Sequence, residues 1–145
     1  MRNGEVMSRP SPDGGDGEWM RHFRERVDEF KGLDLGWHGD GNGMQFDPQS
    51  LDRLTGLYAE FYPHDCPEPH VYPSPENAVQ LEWDIRRWRI SLEIDVGMLK
   101  GEFYAIELDT DEDVFRDDLD MSRREDWRWI SQWLLEKRSE GASQG

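Results

Sequence analysis

The chain has 145 residues, a length that suits one domain with a modest core. Its 32 acidic residues against 17 basic ones give a formal charge of −15, which argues against a nucleic-acid or anionic-membrane ligand, because phosphate binding needs a positive footprint. Only 35% of residues are hydrophobic, but seven are tryptophans, and each buried aromatic removes enough apolar area from water to anchor a core that average hydropathy underrates.

Residues 1–17 are Gly, Pro, Asp and Ser with little to bury, and are predicted to be a disordered tail. They lack the apolar stretch of a secretory leader, and no run approaches the roughly 18 apolar residues of a membrane span. Cys66 is the single cysteine, so no intrachain disulfide is expected and a soluble, cytoplasmic protein is the natural expectation. From Glu18, Trp19, Phe23, Val27 and Phe30 recur at helical spacing, and Gly32 supplies a stop. The glycine-rich GWHGDGNGM follows at 36–44.

Asp47-Pro48 reads as an N-cap with proline at the first helical position. Leu51, Leu54, Leu57, Tyr58 and Phe61 continue as an apolar stripe, predicting a helix over 48–62 that Pro63 ends. PHDCPEPHVYPSPE, with five of the eight prolines, is expected to be extended and irregular, with a short strand at His70–Tyr72. The period then changes to two. Val79, Leu81, Trp83 and Ile85 alternate with polar residues, as do Trp88, Ile90, Leu92, Ile94 and Val96. Tyr104, Ile106 and Leu108 alternate with Phe103, Ala105 and Glu107. This predicts an antiparallel meander linked at Arg86-Arg87 and about 97–101, with one face buried. An acidic loop follows. Ser122 and Glu125 then read as a capping box for a last helix carrying Trp127, Ile130, Trp133 or Leu134, and Lys137 to about Arg138.

The chemistry-bearing patterns are few. A phosphate cradle needs a preceding strand and a following Lys-Ser/Thr pair. Here a helix precedes, no lysine follows, and Asp40 would repel phosphate, so Gly36, Gly39 and Gly41 are expected to shape a tight connector that seats Trp37. His38 and Asp40 are left without an assigned role, and no cofactor is expected. His64, Cys66 and His70 offer soft and imidazole ligands at close spacing, but the stretch lacks a CxxC pair. The same residues also contain a Cys-His pair without an oxyanion-hole signature. Asp109, Asp111 and Asp113 copy positions one, three and five of a calcium loop, with Asp120 at position twelve. However, Val114 occupies the glycine position, and the segment follows a strand. Glu82 and Glu93 stand among Asp84, Arg87, Arg89 and Asp95 on the exposed sheet face, where cross-strand ion pairing is the ordinary use and paired acid/base carboxylates the alternative.

One segment is denser. Residues 101–120 hold nine acidic groups and one arginine, a local charge of −8, interleaved with Phe103, Val114, Phe115, Leu119 and Met121. Carboxylates around apolar anchors suit a basic protein groove; a plain solvated loop is the alternative.

LGWHGDGNG…PQSLDRL, then QLEWDI…ISLEIDV, resembles a set of small acidic bacterial and phage proteins with a GWDGYGA-like loop, a helix opening on proline, and a Leu-Glu-Trp strand followed by a Leu-Glu-Ile-Glu strand. The likeness covers about residues 33–96. It departs at His38, where an acidic residue is usual, and at Asn42-Gly43 in a longer loop. The resemblance marks Trp37, Glu82 and Trp83 as family features and implies no activity.

The expected fold is therefore α+β over 18–138: an antiparallel meander of three to four strands, with two N-terminal helices and one C-terminal helix packed on one face and a disordered tail over 139–145. The expected function is a non-enzymatic inhibitor of a basic partner protein, such as a nucleic-acid-binding toxin or defence nuclease, with nucleic-acid mimicry as one route. Its contact surface would be Asp109, Asp111, Glu112, Asp113, Phe115, Asp117, Asp118, Leu119 and Asp120. The competing classes are a metal-binding domain or metal-dependent enzyme at His64, Cys66 and His70 or at Asp109, Asp111 and Asp113, and a structural subunit of an assembly.

Overall fold

A computed structural model describes residues 15–39 and 43–144, with side chains over 20–39 and 43–140. Helix α1, Gly15–Lys31, turns Met20, Phe23, Val27 and Phe30 inward. The side chain of Trp19, expected to lead that stripe, lies outside the described residues, as does most of the predicted tail. Helix α2, Pro48–Phe61, begins as its sequence predicts. The Asp47 carboxylate accepts from the Ser50 amide at 3.1 Å and the Ser50 hydroxyl at 2.8 Å, satisfying donors that the first turn otherwise leaves unpaired.

Five strands follow where three or four were expected: β1 His70–Ser74, β2 Ala78–Ile85, β3 Trp88–Asp95, β4 Lys100–Glu107 and β5 Asp113–Asp120. They form one antiparallel meander in chain order. The fifth strand is the acidic segment read from sequence as a loop. Only 108–112 is a turn, closed by the Glu107 amide donating to the Glu112 carbonyl at 2.8 Å and the Asp111 amide to the Glu107 carbonyl at 2.9 Å.

Helix α3, Arg124–Gln144, runs past the predicted stop at Arg138 and into the expected tail. The expected capping box is absent. The Ser122 hydroxyl instead donates to Asp120 Oδ1 at 2.6 Å, and Asp126 Oδ2 accepts the Asp120 amide at 2.7 Å. The first turn is closed on the Arg123 carbonyl.

The core lies between the helices and the inward rows of the sheet. Val71, Leu81, Leu92 and Phe103 face one another in register across four strands and are all buried. Phe23 stacks on Tyr58 with centroids 3.9 Å apart, and Trp133 meets Trp88 and Phe103 edge-on at 5.1 and 5.2 Å. Trp127 is fully buried, with its Nε1 donating to the Met121 carbonyl at 2.7 Å. The β4 phase is opposite to the predicted one: Gly101, Phe103 and Ala105 face in, whereas Tyr104 and Leu108 are exposed. Bulk does not decide the face here. A Cβ at Gly101 would sit 2.9 Å from Met121 Sδ and 3.3 Å from Leu92 Cδ1, so anything larger makes those buried side chains shift, and Phe103 fills the space under Trp129 and Trp133.

Candidate interaction face

Strand pairing fixes which side chains share the outer face of the sheet, because alternate residues point the same way. One register row carries His70, Glu82, Ser91, Tyr104 and Phe115. The next carries Tyr72, Gln80, Glu93 and Glu102, and Asp117 joins it from β5 by lining the same cleft. On the other side of the first row, Asp84, Arg89, Ile106 and Asp113 fall in line. Asp95 and Lys100 lie beyond the second row. The clefts on this face are lined by strand and turn residues alone.

The charge distribution has a shape. Asp84 and Glu82, two apart on β2, are about 6.6 Å apart along the strand. Glu93 follows diagonally on β3, Glu102 sits directly opposite it on β4, and Asp117 continues onto β5. These carboxylates form an arc around an island of Tyr104, Phe115 and Ile106. Phe115 is 59% exposed and Tyr104 38%, although they are cross-strand partners and a large exposed apolar pair is costly to leave in water. Tyr72, 42% exposed, stands beyond the arc on β1. Arg89 and Lys100 are the basic side chains on these rows. Arg89 is 3.7 Å from Asp84 with both groups well exposed, a pair of little energetic weight.

No protein-family model matches this chain, and no curated protein or solved structure matches it either.

The residues singled out in the acidic segment divide into three groups. Asp113, Phe115 and Asp117 are on the outer face. Asp109, Asp111 and Glu112 belong to the β4–β5 turn: Asp109 is paired with Arg87 at 2.6 Å, Asp111 holds φ +62°, and the Glu112 carbonyl closes the hairpin. The remaining three serve the fold. Leu119, expected to be an exposed anchor, is 0% exposed and paired with Gly101. The register shift between Gly101 and Phe103 gives β5 one extra residue, so Leu119 turns inward. Asp118 accepts two hydrogen bonds from Arg116 at 2.9 Å each, and that guanidinium holds its carboxyl below the usual range. Arg116 in turn lies 4.6 Å over the Trp129 ring. Asp120 is lowered by its hydrogen bonds from Ser122. The calcium-loop reading fails on this geometry, because Asp109 and Asp111 sit in a turn and Asp113 and Asp120 at opposite ends of an eight-residue strand.

His64, Cys66 and His70 do not converge on a ligand. Cys66 is buried, its thiol donates to the Ser131 carbonyl at 3.9 Å, and burial raises its pKa, so it is a core thiol. His64 is exposed and His70 opens β1. Among the described residues no group of three or more His, Cys, Asp or Glu is placed to hold a metal ion. Glu82 and Glu93 lie one row apart, opposite Ser91 and Gln80 respectively, and Gln80 Nε2 donates to Glu82 at 2.5 Å.

The glycine-rich segment connects α1 to α2. Gly36 and Gly39 hold φ of +83° and +81°, the Gly36 amide donates to the Gly43 carbonyl at 2.7 Å, and Trp37 Nε1 donates to the Met44 carbonyl at 2.7 Å. Trp37 packs against the core. Gly41 and Asp40 lie outside the described residues.

Sequence reasoning missed Tyr104, Glu102 and Lys100, because reading β4 in the wrong phase put Tyr104 inside and left Glu102 unplaced. Once Glu93 is on the outer face, its partner Glu102 follows from the hairpin register, and Tyr104 two residues on shares that face.

Proposed function

We propose that this chain is a non-enzymatic acidic protein that binds and neutralises a basic partner protein, in the manner of an antitoxin, an immunity protein or a phage-encoded inhibitor of a host nuclease. The observation that carries this reading is the outer sheet face, where an arc of carboxylates surrounds exposed Tyr104 and Phe115. Carboxylates steer a basic partner into encounter, and the apolar island supplies contact area that water is then excluded from. The contact surface moves accordingly, from the 109–120 residues alone to the face that Asp113, Phe115 and Asp117 help build. The apolar centre favours engagement of a protein groove lined by both Lys/Arg and apolar side chains. A phosphate backbone has no counterpart to that centre, so simple nucleic-acid mimicry fits it less well.

Two triple variants of equal net charge test this: Glu93→Lys/Glu102→Lys/Asp117→Lys on the face, and Glu25→Lys/Glu60→Lys/Glu136→Lys on the helices. Each is immobilised beside the unaltered chain and challenged with host lysate, after circular dichroism has confirmed folding. The expected result is a basic protein retained by the unaltered chain and the helix variant but lost from the face variant. Retention of the same protein by the face variant, or equal loss from both variants, refutes the reading.

A further inference from the structure

The outer face is not uniformly flat. A cleft of about 340 Å³ opens at its centre between β2 and β4, and its floor is Ser91, a small side chain directly opposite Glu82 on one side and Tyr104 on the other. Two strand spacings separate Glu82 from Tyr104, about 10 Å between strand axes. A planar guanidinium donates within its own plane, so it lies about 3.5 Å over a ring face and turns its N–H edge to a carboxylate about 2.8 Å away, and that gap leaves room for both. The Glu82 carboxylate is already oriented by Gln80 Nε2. Glu82 and Asp84 against Arg89 leave the lining of the cleft with one net negative charge, which favours a cation there.

Resting on the reading above, we infer that this cleft is the anchor subsite of the face and takes a single arginine side chain of the partner. The guanidinium stacks on the Tyr104 ring and turns its N–H edge toward the Glu82 carboxylate, with the Ser91 hydroxyl as a further acceptor. Arginine suits the site better than lysine because its flat guanidinium stacks on an aromatic face and presents paired N–H donors to one carboxylate, whereas an ammonium is a compact, strongly hydrated point charge. The row of Glu93, Glu102 and Asp117 lies outside the cleft. It supplies attraction toward the partner and leaves selection of the side chain to Glu82 and Tyr104.

The test uses three probes, acetyl-Gly-Arg-Gly-amide and its lysine and citrulline counterparts, titrated into the full chain labelled with nitrogen-15. The arginine peptide is expected to shift the amides of Trp83, Ser91 and Tyr104 saturably. The lysine peptide should bind more weakly, and the citrulline peptide should give no saturable shift. Glu82→Gln should weaken the arginine peptide about tenfold, Tyr104→Leu about fivefold, and Glu136→Gln on the helix side not at all. Tyr104→Leu keeps apolar bulk at the site, and an unchanged thermal midpoint for Glu82→Gln separates loss of binding from loss of fold. Equal shifts from the citrulline peptide overturn the inference. So do shifts spread evenly along the Glu93–Glu102–Asp117 row for both cations, or undiminished binding by Glu82→Gln. If the arginine peptide finds no cleft while the face triple variant still loses its captured protein, only this subsite is wrong. If arginine seats in the cleft while capture ignores the face variant, the proposed function is what falls.

Discussion

Glu102→Lys should stabilise the free protein. Glu102 sits directly opposite Glu93 across β3–β4, and Asp117 lines the same cleft from β5, so the substitution turns two repulsive neighbours into attractive ones, against one new repulsion from Lys100 two residues along β4. Cross-strand charge pairs are each worth about 0.2–1 kcal/mol, with like charges unfavourable by a similar amount. After discounting for solvent exposure, reversing both gives a gain of about 1–2 kcal/mol at low salt. With an unfolding entropy of about 2.1 cal/mol/K per residue, that gain over this chain raises Tm by about 3–6 °C. Differential scanning calorimetry in about 0.01 M and about 1 M salt reads it directly, since the screening length falls from about 30 to about 3 Å between them. The expected gain drops by more than half at high salt. Glu136→Lys, the same charge change away from the face, should move Tm by less than a third as much. A gain that survives high salt, or that Glu136→Lys matches, refutes the claim that this row stores local repulsion. A gain with loss of partner capture would mark the row as one kept for binding at the expense of stability.

Gly43→Ala should cost about 1–3 kcal/mol by urea denaturation, because Gly43 holds φ +113° and a Cβ there would meet the His38 amide nitrogen at 2.9 Å and the Trp37 ring at 3.0 Å; a neutral result would show that the loop relaxes freely. Arg86 turns the β2–β3 hairpin at φ +59°, so Arg86→Gly should gain up to about 1 kcal/mol, and a loss would show that its side chain does more than sit in the turn. Burial holds the phenols of Tyr58 and Tyr62 well above their ordinary value, so above a pH of about 10 the unfolded chain gives up protons that the folded chain keeps. These two phenols should therefore remove stability above that pH by about 1.4 kcal/mol per pH unit each, following an earlier loss as the unfolded Cys66 thiol ionises, since burial raises that group as well. Tyr58→Phe should lower the slope above a pH of about 10 by about 1.4 kcal/mol per unit, and an unchanged slope would assign the alkaline loss elsewhere.

Where one local rule sufficed, sequence and structure agree. Asp47-Pro48 announced α2, and the alternation of Val79–Ile85 and Trp88–Val96 announced two strands in the right phase. β4 and β5 were not legible, for different physical reasons. In β4 the heavier alternating set, Tyr104, Ile106 and Leu108, faces outward, because what the core needs there is Gly101 beside Met121 and a ring beneath two tryptophans. Both requirements come from α3 and from the chain just before it, well downstream of β4. In β5 the period of two is broken by the extra residue before Leu119, so DVFRDDLD shows no alternation to count, and its charge resembles that of a loop. The face was illegible for the same reason: it depends on the register of four hairpins, and a single phase error in β4 removes Tyr104 and Glu102 from it.

The two margins of the sheet are finished differently. At β1 the ladder is closed to any further strand: Pro73 has no amide to donate, and Arg26 Nε from α1 occupies the Val71 carbonyl at 2.9 Å. At β5 the guard is charge. A second copy laid antiparallel along that margin would bring the set Asp113, Asp117, Asp118 and Asp120 against the same set in reverse order. Protonating these carboxylates removes that guard, so acid is the condition under which two copies could pair through β5, and with β1 closed such pairing ends at a dimer. Arg116 and Ser122, by lowering the pKa of Asp118 and Asp120, carry that protection further into the acid range than free carboxylates would.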